Sequence, residues 1–177
     1  TLSPHQPHFT PFEFAPRRFY EYLPDQIELP VNVPDQKLGV SSEMYRHYLA
    51  MILAVDEMVG RVLEYLDEKK LTENTIVLFT SDHGTQGGSQ GINPWSKKNP
   101  FDASIHVPGI IRYPRKIKPG TRTNQIMNMV DWFPTLCGLA GLKVPRSIEG
   151  KDRSEILRNN SNIEESAAFI MNFSKWF

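Results

Sequence analysis

Nine consecutive residues constrain this chain more than any others: Ile76-Val77-Leu78-Phe79-Thr80-Ser81-Asp82-His83-Gly84. Aliphatic, β-branched and aromatic side chains follow one another without polar alternation. They then give way at once to a carboxylate, an imidazole and a glycine. A continuous apolar run of this length suits a strand buried on both faces. In open α/β sheets, ligands bind just beyond the carboxyl ends of such strands. Asp82 and His83 are therefore expected to emerge where these folds do chemistry, with Gly84 permitting a sharp turn. An adjacent carboxylate and imidazole can hold a divalent metal. The same residues also read as a plain turn whose Asp caps the next segment.

The flanking sequence supplies further elements. Between 41 and 70, Met44, Tyr48, Ile52, Val55, Val59, Val62 and Leu66 recur at three- and four-residue spacing, one apolar stripe of a helix. Ser41 or Ser42 suits its cap, Glu43 its first turn and Lys69 and Lys70 its last, with Glu57 and Arg61 as an i, i+4 pair. A second strand is expected from Val107 to Tyr113, interrupted by Pro108. A short helix is expected over 131–141, with Asp131 at its start and Gly141 as its stop. A late strand is a candidate over Ala167–Phe173. Helix, strand, loop, strand, helix is the order of an α/β layered domain. Residues 1–40 are dense in proline and aromatics, which excludes long helix or central strand and reads as a segment wrapped over a core. Residues 158–177 read as a tail.

Bulk properties exclude some partners. Twenty basic and twenty acidic residues give a formal charge of zero, which argues against nucleic acid or an anionic membrane as the main partner. No apolar run reaches the roughly 18 residues of a spanning helix. The single cysteine, Cys137, rules out a disulfide within the chain and reads as a small core residue on the apolar face of the 131–141 helix. The chain opens Thr1-Leu2-Ser3-Pro4-His5 without an initiating methionine, as expected of a segment processed or cut from something longer.

Three other groups could carry chemistry. In His5-Gln6-Pro7-His8, histidines set between prolines could bind a metal or an oxyanion, or protonate a leaving group; a proline-rich surface loop with incidental His is the bland reading. Gly84, Gly87, Gly88 and Gly91 precede Lys97-Lys98, and a Gly-rich loop with lysines can cradle sulfate or phosphate. Taken alone, the two lysines read as a solvated face. The Walker phosphate-loop pattern is absent. Asp131, in Asp131-Trp132-Phe133-Pro134-Thr135, reads as a helix cap before an active-site acid.

Taken in order, these motifs resemble the downstream part of the sulfatase family of the alkaline-phosphatase superfamily, from about Ser3 to about Leu157. Pro7-His8-Phe9-Thr10-Pro11-Phe12 is similar to the family's Pro-His-x-Pro-Tyr/Phe segment. Tyr48 to Asp56 and Gly60-Arg61-Val62-Leu63 resemble its long helix. Asn74 to Gly84 is the most specific match. Lys97, Ser104-Ile105-His106-Val107-Pro108-Gly109-Ile110-Ile111, Val130 to Leu136 and Leu139-Ala140-Gly141-Leu142 follow in family order.

The resemblance implies a partial alkaline-phosphatase-like α/β fold, with a largely parallel sheet flanked by helices, in which 41–157 is the C-terminal part of the catalytic domain. It implies that Asp82 and His83 are the second pair of ligands to a divalent metal, usually Ca²⁺. An imidazole in the set leaves room for Mg²⁺ or Mn²⁺. Lys97, eleven residues before Pro108, matches the sulfate-binding lysine, with Lys98 as second choice. His8 matches the histidine that contacts the sulfate or protonates the leaving oxygen, and His5 takes that role if the register differs. Sulfated small molecules or glycans are the implied substrates, and periplasmic, secreted or lysosomal placement is implied by the family alone.

The departures are as informative. The family's nucleophile is a formylglycine made from Cys or Ser in a Cys/Ser-x-Pro-x-Arg motif, and no such motif occurs in these residues. The paired aspartates that open the family's metal site are missing too. His106 stands where Arg is common, and Gln90 where many members carry His. The resulting expectation is the C-terminal portion of a sulfatase, inactive alone because the covalent route has lost its nucleophile. Such a portion needs the missing N-terminal part of the same protein and is prone to self-association through an exposed sheet edge. A phosphonate or phosphodiester hydrolase of the same superfamily, and a non-catalytic binding module with the same fold, are the competing expectations.

Overall fold

The apolar stripe over 41–70 forms α1, Ser42–Glu68. In the computed structural model, which describes residues 15–34 and 39–161, α1 is the longest element. Ser41 is its cap: the Met44 N–H donates to Ser41 Oγ at 3.2 Å. Ser42 does a different job, accepting the Ile27 N–H at 2.6 Å and so fastening the preceding segment to the helix. The helix stops at Glu68, before the two lysines expected in its last turn. Lys70 takes φ +56°, and the Leu71 and Lys70 N–H groups donate to the Leu66 and Asp67 carbonyls at 2.8 and 3.0 Å. That paired geometry is a Schellman motif with lysine where glycine is usual.

The chain divides into two compact units. Among the described residues the first takes in 15–34, 39–65 and 83–107, and the second 66–82 and 108–161. In the first unit, Ala15 and Phe19 pack against Ala50 and Met51 of α1, with Tyr20, Leu23, Tyr48, Leu53 and Ala54 around them. A second cluster joins Val33 and Val40 to Leu29, Met44, Tyr45 and Tyr48. The described part of the proline- and aromatic-rich segment packs against α1 through these residues, with a short 3-10 turn at Arg17–Tyr22. It also decides which face of α1 is covered. Phe19 seats against Met51, so Ala50, Met51 and Val55 are buried, while Ile52 and Val62 of the expected stripe stay exposed. Glu57 likewise pairs with Arg18 across to this segment at 2.8 Å, the described partner in place of the expected Arg61. Both side chains are solvated, so the pair contributes at most about 1 kcal/mol.

In the second unit, β1 (Val77–Thr80) pairs antiparallel with β2 (Gly109–Arg112), Val77 opposite Arg112 and Thr80 opposite Gly109. Among the described residues the sheet consists of this pair, and all four β1 residues are half-buried rather than fully buried. The second strand begins after Pro108, which lacks the N–H a ladder needs. The four-residue helix α2 (Asp102–Ile105) lies between the strands in sequence, in the first unit. Next comes α3, Trp132–Ala140, which ends at Gly141 with φ +76° as its sequence indicates. Last is α4, Ser154–Asn159, which the sequence did not announce. Tyr113, Ile117 and Leu139 form the core here, flanked by Ile76, Ile111 and Leu157. The candidate late strand at 167–173 lies outside the described residues.

Candidate functional site

The register of the strand pair sets where the candidate residues fall. Thr80 ends β1 opposite Gly109, the first residue of β2, so the chain leaves and re-enters the pair at the same rung. Everything from Ser81 to Pro108 is one excursion from that point, and it carries Asp82, His83, Lys97 and Lys98. Asp82 closes a segment of the second unit and is exposed; Ser81 Oγ donates to its Oδ1 at 3.4 Å.

His83 opens the matching segment of the first unit and is also exposed. Its Nδ1 lies 3.0 Å from the Gly84 carbonyl oxygen. A carbonyl only accepts, so Nδ1 is the donor, and in the neutral tautomer that this contact selects the lone pair lies on Nε2. Backbone carbonyls orient metal-binding imidazoles in this manner.

Gly84 does not have a positive φ, so its expected role as a sharp turn is replaced by close approach. Its N–H donates to the Ser104 carbonyl at 2.8 Å, and a Cβ there would sit 2.1 Å from the Ala103 oxygen. Any side chain would push the two segments apart. The reversal of direction comes later, at Gly87 and Gly88, whose φ values are +56° and +92°.

From Thr85 onward the chain lies against the stretch that leads to Lys97. Gln86 N–H donates to Ser96 O at 3.0 Å, Gly87 N–H to Pro94 O at 3.0 Å, and Thr85 Oγ1 to Pro94 O at 2.9 Å. Asn99 Nδ2 donates to Ser96 Oγ at 2.8 Å. Two contacts tie the loop to the rest of the unit: Tyr45 Oη donates to Gly87 O at 2.9 Å and Gln90 N–H to Asn32 O at 2.8 Å. Lys97 is half-buried and Lys98 exposed. Lys98 is thus the more solvated of the two.

The sequence did not single out Gln86, and it placed Ser104 in a family-like stretch without indicating a contact between them. Gln86 is 1% exposed and donates through Nε2 to Ser104 Oγ at 2.7 Å; Ser104 is 2% exposed. His5 and His8 lie outside the described residues. Among the described residues no group of three or more His, Cys, Asp or Glu side chains is gathered as a metal cluster, and no helix is long and apolar enough to cross a membrane.

Asp131, in the second unit, is structural as its position suggests, but as the third residue of a capping box rather than the cap. It and Asn128 satisfy each other's backbone N–H. Its Oδ1 also accepts the Lys151 N–H at 2.8 Å. Cys137 is a half-buried free thiol within α3.

A sulfatase family model matches residues 1–142, and the chain belongs to the sulfatase family. It is 37% identical over 172 residues to an ulvan-active sulfatase of Formosa agariphila, covering 96% of this chain and 33% of that protein. A solved putative sulfatase from Bacteroides fragilis superposes with a TM-score of 0.77 at 29% identity, covering 85% of this chain and 34% of that one. A structure in complex with its substrate D-glucosamine-2-N,6-O-disulfate superposes with a TM-score of 0.63 at 37% identity, covering 68% and 24%. The chain therefore spans about a third or less of each of these three proteins. Its fold is a partial α/β domain of the alkaline-phosphatase-like type, and a two-stranded sheet is consistent with such a part.

Proposed function

We propose that the whole protein to which this chain belongs hydrolyses sulfate esters of a saccharide, and that this chain contributes cation- and sulfate-binding groups. The observation that carries the reading is the exit of β1, where exposed Asp82 is followed by an imidazole whose Nδ1 is committed to the Gly84 carbonyl. A carboxylate oxygen and an Nε2 lone pair suit a divalent cation, Ca²⁺ first and Mg²⁺ or Mn²⁺ next. Two donors fall short of the six to eight oxygens that Ca²⁺ takes, so further ligands come from residues other than these. When bound, the cation would polarise the sulfate as a Lewis acid.

The chain's own residues do the rest. The Lys97 ammonium offsets the negative charge of the bound sulfate and the charge that develops as the ester bond breaks. His8 donates a proton to the leaving oxygen. The nucleophile, a formylglycine, is no residue of these 177, so the isolated chain is inactive. A saccharide substrate is supported by the ulvan-active relative and by the disulfated glucosamine bound to a structural neighbour.

The test uses the full-length protein. Sulfated saccharides and 4-nitrophenyl sulfate should be turned over, a chelator should abolish turnover, and Asp82→Asn or Lys97→Ala should lower kcat by roughly 100- to 1,000-fold. Preference for a phosphonate monoester over the sulfate would move the protein to the other ester class. Full activity in Asp82→Asn would sink the site.

A further inference from the structure

We propose that Gln86 is a positioning residue: its carboxamide locks the His83–Gly84 segment to Ser104, while its backbone N–H ties the same segment to the stretch that carries Lys97. The proposal rests on the sulfate-ester reading above and adds to it a residue outside the ligand set.

Three strands of evidence converge on this side chain, all within one unit. First, Ser104 is held twice from the same segment, by Gly84 N–H to its carbonyl at 2.8 Å and by Gln86 Nε2 to its hydroxyl at 2.7 Å. Second, the Gln86 backbone N–H donates to Ser96 O at 3.0 Å, one residue before Lys97. One residue thus bonds forward to the segment carrying Lys97 and sideways to the segment against which Gly84 is pressed. His83 stands one residue before Gly84, so a shift of this lock moves its ring.

Third, the carboxamide is a poor choice for stability. Gln86 is 1% exposed, yet its Oε1 accepts no hydrogen bond among the described residues. Exchanging Nε2 and Oε1 would only transfer the deficit to the nitrogen, because the same Ser104 hydroxyl serves either atom. A buried acceptor left unmade is destabilising, whereas replacing both partners of a buried pair by apolar groups of the same shape is close to neutral. A half-satisfied amide beside a reacting centre is what a stability–function trade-off leaves behind. The carboxamide fixes direction where an apolar side chain of equal volume would only fill space.

The variant that separates geometry from stability is Gln86→Met/Ser104→Ala in the full-length protein, which removes donor and acceptor together. The expected result is a kcat on a sulfate ester 10- to 100-fold lower, with KM changed less than threefold. The melting temperature without metal should be equal or higher, and the rise in melting temperature on adding Ca²⁺ smaller than in wild type. Amide hydrogen exchange at Gly84 and Gln86 should be faster. The single variant Ser104→Thr keeps a hydroxyl and should recover most of the lost kcat. A double variant with wild-type kcat and metal response overturns the proposal, and so does one whose melting temperature drops in step with activity. If instead wild-type protein lacks esterase activity, or Asp82→Asn is fully active, the sulfate-ester reading fails and this proposal falls with it. Wild-type activity lost in Asp82→Asn but kept in the double variant defeats this proposal alone.

Discussion

Asp131→Asn should unfold the α3 end of the second unit without touching chemistry. The Asp131 and Arg153 side chains are 4% and 5% exposed. Asp131 Oδ2 accepts the Asn128 N–H at 3.0 Å, and Oδ1 accepts the Lys151 N–H at 2.8 Å. Arg153 Nε stands 3.9 Å from Oδ2. Asparagine preserves the volume but keeps only one acceptor, so its NH2 group must face a backbone N–H. The loss of one charge-assisted hydrogen bond costs about 1.5–3 kcal/mol. Neutralising one member of a buried ion pair adds to this, by less than the roughly 3–5 kcal/mol of a pair in close contact. At 3.9 Å the pair is at the edge of contact, and the two effects overlap, so the sum is taken near the lower bound, about 3–4 kcal/mol. That corresponds to a roughly 100- to 1,000-fold smaller folding equilibrium constant. Urea unfolding of the full-length protein followed by circular dichroism reads the shift, and turnover per folded molecule should stay within twofold of wild type. A stability change below about 1 kcal/mol together with a large loss of kcat would refute the structural role and make Asp131 an acid–base group.

Gly84→Ala must open the 2.1 Å approach to the Ala103 oxygen by about 1 Å, which strains or breaks the bond to Ser104 and should cost roughly 2–4 kcal/mol in the same unfolding assay. Lys70→Gly relieves a left-handed lysine at the end of α1 and should stabilise by about 0.5–1 kcal/mol, read as a higher urea midpoint. Hydrogen bonds from Thr72 and then Arg112 hold the Asp67 carboxyl below its ordinary 3.8. Because the folded value is depressed, its contribution is present above the unfolded pKa and is lost as pH falls through the folded one. Asp67→Asn should therefore flatten the fall in stability below about pH 4 and leave the neutral-pH slope unchanged.

What the sequence revealed is what the chain enforces locally. The apolar run to Thr80, Ser41 as a cap, Pro108 as the barrier before β2 and Gly141 as the stop of α3 each depend on a residue's own backbone preferences. The buried face of α1 does not. Ile52 and Met51 are equally apolar, and only the arrival of Phe19 from a distant segment decides that Met51 goes inside. The same holds for Glu57, whose described partner is Arg18 rather than Arg61. The antiparallel pairing of β1 with β2 was likewise beyond a reading of single strands, since a short apolar run carries no direction.

The candidate site divides along the same line, and the division has a chemical reason. On the proposed reading, Asp82, His83 and Lys97 stand out in the sequence because few side-chain types suit a cation or an anion. Within the first unit, the network around His83 and the segment leading to Lys97 is built mostly from backbone carbonyls, those of Gly84, Pro94, Ser96 and Ser104. Every residue type offers a carbonyl, so nothing in the sequence flags those four acceptors. Gly84 stands out as a glycine but misleads about why, since the constraint is the Ala103 oxygen nearly twenty residues away rather than its own φ. Gln86 marks the boundary between the two kinds of information. It is a side chain, but its role depends on Ser104 being brought to it, and a lone glutamine among glycines resembles any polar loop residue. Substitutions at the restricted positions should therefore abolish turnover while leaving the fold. Substitutions in the network should act in proportion to how far they move His83 and Lys97, which makes the response to Ca²⁺ a more direct readout of this loop than stability alone.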